Sequence, residues 1–232
     1  MYPMYGQPYN PAYRHALKAD ERKAKGGSTL SVRGMGKVEA APDTAVLQLA
    51  VVTMDKDVTA AQEENKRRVN QLIRTLQDEG IDEKQIETIS YTVFPQYDYT
   101  GGSEPVLKGY EAVNTLSVRT RDLDTIGSIY DAAFANGANR SDSLQFFLSD
   151  QQKWINQALD LAAKQALEKA EAIALSYRLN LNRTPVKITE ESRGFSPLSK
   201  ELSLGAQSSG QTPIFARQIE VTAELEVVFS YQ

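Results

Sequence analysis

The side chains of this sequence that could do chemistry are carboxylates, phenols and amides. There is no cysteine, and the only histidine is His15. Thiol catalysis, disulfides, Cys-ligated zinc and iron–sulfur clusters are therefore excluded. A histidine triad or a multi-histidine metal site would need a second chain. The best placed carboxylate is Asp43, within Ala41-Pro42-Asp43, because a Pro-Asp pair at a strand entrance is held by stiff backbone. A turn aspartate also accepts bonds from nearby backbone N–H groups, and that structural role is the expected one. Asp55 and Asp57 flank Lys56 and suggest a cation site. The remaining ligands of a calcium loop are missing, and Asp57 suits a helix N-cap equally well. Asn114, Asn136 and Asn139 can hydrogen-bond a ligand, yet an amide is no general base at neutral pH. No nucleophile–base pair can be read, so the expectation is no enzymatic activity, no cofactor and no metal.

The phenols are spaced more suggestively. Tyr2, Tyr5, Tyr9 and Tyr13 recur every three or four residues, interleaved with Pro3, Pro8 and Pro11. Those prolines forbid a regular helix, since each lacks an N–H and restrains its predecessor. Residues 1–27 are expected to be a disordered or extended tail whose tyrosines offer adhesive contacts. Tyr91, Tyr97, Tyr99 and Tyr110, with Phe94, fall on one expected hairpin. Such a set suits a binding patch or an oligomer interface, where tyrosine is enriched, and cross-strand aromatic packing is the plainer alternative.

These residues need elements to position them. Leu30 and Val32 alternate with polar neighbours as in a strand, and Gly34 and Gly36 inside it imply a bulge or a close approach by a neighbouring backbone. Gly34-Met35-Gly36-Lys37 lacks the spacing of a phosphate-binding loop. Residues 45–53 read as a buried strand. Residues 58–79 read as a helix with Ala61, Val69, Leu72, Ile73 and Leu76 inward and Gly80 as its stop. Strands are expected at 86–97 and 110–119, paired as the aromatic hairpin, with Pro95 confining the first to an edge or a strand end. A short helix over 123–135 and a strand at 144–148 precede the longest helix, 151–179. Its inward side is read as Ile155, Ala158, Leu159, Ala162, Ala166, Ala170, Ile173 and Tyr177, with Trp154 anchored in the core. A strand at 185–190, a long flexible loop over 193–213 and an amphipathic strand from Ile219 to Phe229 complete the chain. Glu220, Glu224 and Glu226 read as the wet face of that last strand, guarding an edge.

At 232 residues with 41% hydrophobic and 24% charged side chains, the chain can bury a sizeable core. A net charge of −4 argues against nucleic acid as the main partner. Five basic against two acidic side chains make the tail the basic end of an acidic protein. No stretch approaches the roughly 20 apolar residues that span a bilayer, and the first residues lack a signal-peptide pattern, so a cytoplasmic location is expected.

Several fragments, taken in order, resemble the SIMPL domain family, formerly a domain of unknown function. They are Val32-Arg-Gly-Met-Gly-Lys-Val with Pro42-Asp43, Tyr91 with Pro95-Gln-Tyr97, Gly109-Tyr110-Glu-Ala-Val-Asn114, Gly137-Ala-Asn139, Leu148-Ser-Asp150, Ala158–Ala174 and Pro213-Ile214. The resemblance covers about residues 28–232, taken as one domain after the tail. It implies an α+β fold of antiparallel strands packed by helices, with bacterial relatives that are exported or linked to oxidative stress, and it transfers no site. Three readings stay open. The first is a non-enzymatic, self-associating homo-oligomer contributing to stress tolerance. The second is an adaptor recruiting a protein partner through the tail or the 193–213 loop. The third is a carboxylate-based enzyme, which requires a concave site with at least two strongly perturbed acids.

Overall fold

The computed structural model describes residues 28–100, 104–201 and 212–232. The tail, with Tyr2, Tyr5, Tyr9 and Tyr13, lies outside them. Two compact units emerge: Val38–Trp154 with Gly194–Val221, and residues 28–37 with Ile155–Arg193 and Thr222–Gln232. The fold is α+β, with two antiparallel sheets and three α-helices packed against them.

The first unit holds a four-stranded sheet in the order β3-β4-β2-β5, from β2 (Thr44–Asp55), β3 (Ile86–Asp98), β4 (Val106–Thr120) and β5 (Arg140–Phe147). Helices α1 (Val58–Asp78) and α2 (Ile126–Ala135) cover one face of it. Helix α1 starts where Asp57 accepts the Ala60 N–H at 3.0 Å, the N-cap alternative to a cation site. It stops at Gly80, whose φ of 89° suits the left-handed turn that ends helices. The core joins Leu47, Leu49 and Val51 of β2 and Leu116 and Val118 of β4 to Val69, Leu72 and Leu76 of α1 and Ile126 and Ile129 of α2. The expected strand 144–148 begins earlier, at Arg140.

The second unit centres on helix α3 (Gln151–Tyr177), from Ile155 onward, against a three-stranded sheet, β1-β7-β6. Its strands are β1 (Thr29–Ala40), β6 (Leu181–Glu201) and β7 (Arg217–Tyr231), and each has residues in both units. Ala162, Ala166 and Ala170 pack on Val32, Leu225, Val227 and Phe229. The two glycines of β1 answer to a close approach. A Cβ on Gly34 would lie 2.0 Å from the Ala162 carbonyl oxygen, and one on Gly36 1.8 Å from that of Ala158.

Several expectations need correcting. The buried row of α3 is Ala158, Ala162, Ala166, Ala170 and Ala174, while Ile173 is exposed and Tyr177 is 75% exposed. Trp154 is half-buried beneath Lys153, whose Nζ lies 4.9 Å from the ring centre, so it is no core anchor. In β7, Val221 to Phe229 alternate as expected, but β7 is the central strand. Glu220, Glu224 and Glu226 are half-buried there and guard no edge. The strand expected at 185–190 extends from Leu181 to Glu201, so the 193–201 part of the expected loop is strand, and residues 202–211 lie outside those described. Among the described residues, no helix is long and apolar enough to cross a membrane.

Candidate functional site

The hairpin of β3 and β4 is where the structure gathers the expected interaction residues. Its register runs from Ile86 opposite Val118 to Asp98 opposite Val106, with irregularities at Thr88/Ser90 and Gln96/Tyr97. The first leaves Ile89 without a partner as a bulge. Strand β3 is the edge of its sheet, so Pro95 is tolerated within it. Tyr91, Tyr97 and Tyr99 are 48%, 42% and 74% exposed, and Tyr110 is half-buried opposite Pro95. Ile89, Phe94, Val106 and Leu107, which the sequence reading of the site omitted apart from Phe94, are exposed beside them. Exposed apolar side chains gathered along a sheet edge, Tyr91 on the helix-side face and Phe94 on the opposite one, are a place where proteins meet partners. At the turn end, Asp98 accepts from Thr100 Oγ1 at 2.6 Å and from Thr100 N at 2.9 Å, and it pairs with Lys108 at 3.1 Å. Those bonds hold its carboxyl down at about 2.

The helix-side face of the hairpin adjoins a cleft. Val51, Asn114 and Tyr91 lie side by side across β2, β4 and β3. Tyr91 and Asn114, with Asn65, Glu63 and Lys66 of α1, line a space of about 440 Å³. Asn65 is 1% exposed, and its Nδ2 donates to the carbonyls of Val51 at 2.8 Å and Ala112 at 3.0 Å, clamping helix to sheet. The buried Oδ1 atoms of Asn65 and Asn114 have no partner among the described residues. They can accept a hydrogen bond but cannot move a proton. Sequence reading missed Asn65 because it sits, polar, at a position of the inward stripe of α1.

The other candidates serve the framework. Asp43 accepts from Ser149 N and Oγ, each at 2.7 Å, and from Thr44 Oγ1 at 3.0 Å. Burial pushes its carboxyl up, but these bonds and nearby Arg121 outweigh that and hold it below the ordinary value. Asp43 thus ties its corner to Ser149, 106 residues further on, rather than to nearby backbone of its own turn as expected. Asp55 Oδ1 accepts the Asp57 N–H at 2.9 Å. Asn139 bonds both polar groups of Val52, continuing the β5 edge by one side chain. Asn136 bonds back to the Ala132 carbonyl at 2.9 Å. Among the described residues, no group of three or more His, Asp or Glu could hold a metal ion. A second concavity, of about 450 Å³, is lined by Phe146, Phe147, Phe195 and Phe215, with Arg217 as its charged side chain.

Residues 30–229 match the SIMPL family, described as a protein of unknown function (DUF541). The chain belongs to the SIMPL family. Among its relatives, the 26 kDa periplasmic immunogenic protein of Brucella melitensis is 28% identical over 209 residues, covering 86% of this chain and 83% of that protein. The uncharacterized protein YggE of Escherichia coli K12 is 30% identical over 165 residues, 71% of this chain and 67% of that protein. For this SIMPL chain, the family description supplies no reaction and no site.

Proposed function

We propose that this SIMPL chain is a non-enzymatic protein that associates with itself through its folded body, and that any contribution to oxidative-stress tolerance runs through that assembly. The observation that carries the reading is the concentration of exposed Tyr91, Phe94, Tyr97, Tyr99, Val106 and Leu107 on a hairpin whose outer strand pairs, among the described residues, on one side only. Edge strands are normally protected by charge, brevity, a cover, a bulge or a proline. β3 is 13 residues long and carries no charge between Thr88 and Tyr97, and its Ile89 bulge and Pro95 leave only residues 90–94 between them without such protection. Further support comes from the carboxylates. Asp43, Glu64, Asp98 and Asp131 are each held below their ordinary values, chiefly by neighbouring hydrogen-bond donors, and none lines either cleft. An enzyme built on carboxylates would pair perturbed acids within a concavity.

The test is absolute mass in solution, by light scattering after size exclusion, for the full chain and for residues 28–232. A defined oligomer in both supports assembly through the body. An oligomer lost with the tail moves the adhesive to Tyr2, Tyr5, Tyr9 and Tyr13, and monomers in both overturn the reading. The stress role is dropped if deleting the gene leaves peroxide survival unchanged.

A further inference from the structure

The direction of every backbone group on the β3 edge follows from one asparagine. Asn139 accepts the Val52 N–H at 2.8 Å and donates to the Val52 carbonyl at 2.7 Å, while its own N–H bonds the Ala50 carbonyl at 3.0 Å. The polar groups of Ala50 and Val52 therefore point to the β5 side of β2. Backbone directions alternate along a strand, so those of Val51 and Thr53 point toward β4. Their partners Asn114 and Ala112 point back, which turns Val113 and Glu111 toward β3. Val113 and Glu111 face Thr92 and Phe94. Hence the N–H and C=O of Tyr91 and Val93 face the open edge. Pro95 faces the same way, and the N–H it lacks is one that β4 never needed.

We infer that β3 pairs antiparallel with β3 of a second copy of this chain, about a two-fold axis through Thr92. This rests on the self-association proposed above and names its surface and register. Two limits select the register. The Ile89 bulge closes one end of the regular edge and Pro95 closes the other, leaving Tyr91 and Val93 as the residues with both groups free to pair. An axis at Thr92 sets Tyr91 of each copy against Val93 of the other, and all four N–H groups find carbonyls. An axis at Tyr91 would set Val93 against the bulge, and one at Val93 would set Tyr91 against a proline.

The side chains agree. Aromatic against β-branched and Thr against Thr are favourable cross-strand pairs, and this axis makes Tyr91–Val93 twice and Thr92–Thr92 once. No charged residue lies between Thr88 and Tyr97, so no like charges meet. Self-complementarity of this kind is what a two-fold interface requires.

The absence of cysteine makes the test clean. In the full-length chain, Thr92→Cys places two thiols on the axis at a non-hydrogen-bonded pair, with Cα atoms about 4.5 Å apart, inside the range a disulfide spans. Copper-catalysed air oxidation should convert most of that variant to a covalent dimer on a non-reducing gel. Phe94→Cys alone should not cross-link, because the two sites lie about 13 Å apart along the strands. A mixture of Ser90→Cys and Phe94→Cys chains should give the heterodimer. Independently, Val93→Pro removes only outward N–H groups and should weaken assembly about tenfold or more, with a monomer circular dichroism spectrum like the parent's. A parent oligomer in which Thr92→Cys fails to cross-link while keeping the parent's mass overturns the β3 pairing and leaves self-association standing. A monomeric parent overturns both.

Discussion

Replacing Gly36 by alanine tests the packing of α3 on β1 with a single methyl group. The new Cβ would lie 1.8 Å from the Ala158 carbonyl oxygen and 2.8 Å from the Ala162 nitrogen. Both are backbone atoms, so no side chain can swing aside. Ordinary contact begins near 3.4 Å, so helix and strand must part by about 1.5 Å in a close-packed interior. Overpacking of this kind costs about 1–3 kcal/mol. The stiffer unfolded chain returns about 0.4–1 kcal/mol, so a net loss of about 1.3 kcal/mol is expected. With a urea slope of about 2 kcal/mol per molar, the midpoint should fall by roughly 0.6 M. Hydrogen exchange should show the loss in the amides of α3. Gly34→Ala meets the Ala162 carbonyl in the same way, at 2.0 Å. One parting of the backbones relieves both clashes, so the double variant should cost less than the sum of the singles. A Gly36→Ala midpoint equal to or above the parent's would refute the close approach.

Arg178 adopts φ 56° where α3 ends, with Leu179 N bonded to the Ala174 carbonyl at 2.8 Å. Arg178→Gly should therefore stabilise by about 1 kcal/mol, read as a raised urea midpoint. Asp43→Asn should destabilise by under about 1 kcal/mol at neutral pH, the site being exposed. Because the folded carboxyl is depressed, the parent's advantage is full above the ordinary aspartate value and fades as pH falls below about 4; thermal melts at several pH values read this. Asn65→Asp would bury a charge against two carbonyls and should cost about 3–5 kcal/mol at neutral pH. Burial raises the new carboxyl's pKa, so part of the loss should return on acidification.

Where a residue's surroundings are set by its own strand or helix, the sequence was readable. The hairpin, the Asp57 cap, the Gly80 stop and the alternation from Val221 to Phe229 are of that kind. Position within a sheet was not readable. The spacing of Glu220, Glu224 and Glu226 shows one face of β7, but only pairing with β1 and β6 makes the strand central. Gly194 and Pro197 read as breakers, yet an edge strand accommodates both, so β6 runs on through them. Tyr91, Tyr97, Tyr99 and Tyr110 were legible because aromatics on a hairpin are conspicuous. Asn65 was hidden because its two carbonyl partners come from separate strands, and the open edge of β3 needed the strand order before it could be seen.

The alanines of α3 recur every fourth residue, whereas the helix turns every 3.6. A row of that spacing winds around the cylinder at about 26° to its axis, so β1 follows a spiral groove. Substitutions on the far side of α3 leave that groove intact. Adding one residue between Ala162 and Ala166 would swing everything beyond it by about 100° and carry Ala166 and Ala170 off the strand. Adding four would turn the same segment by only about 40° and set another row in place. Chain length, more than side-chain identity, is what this helix must preserve.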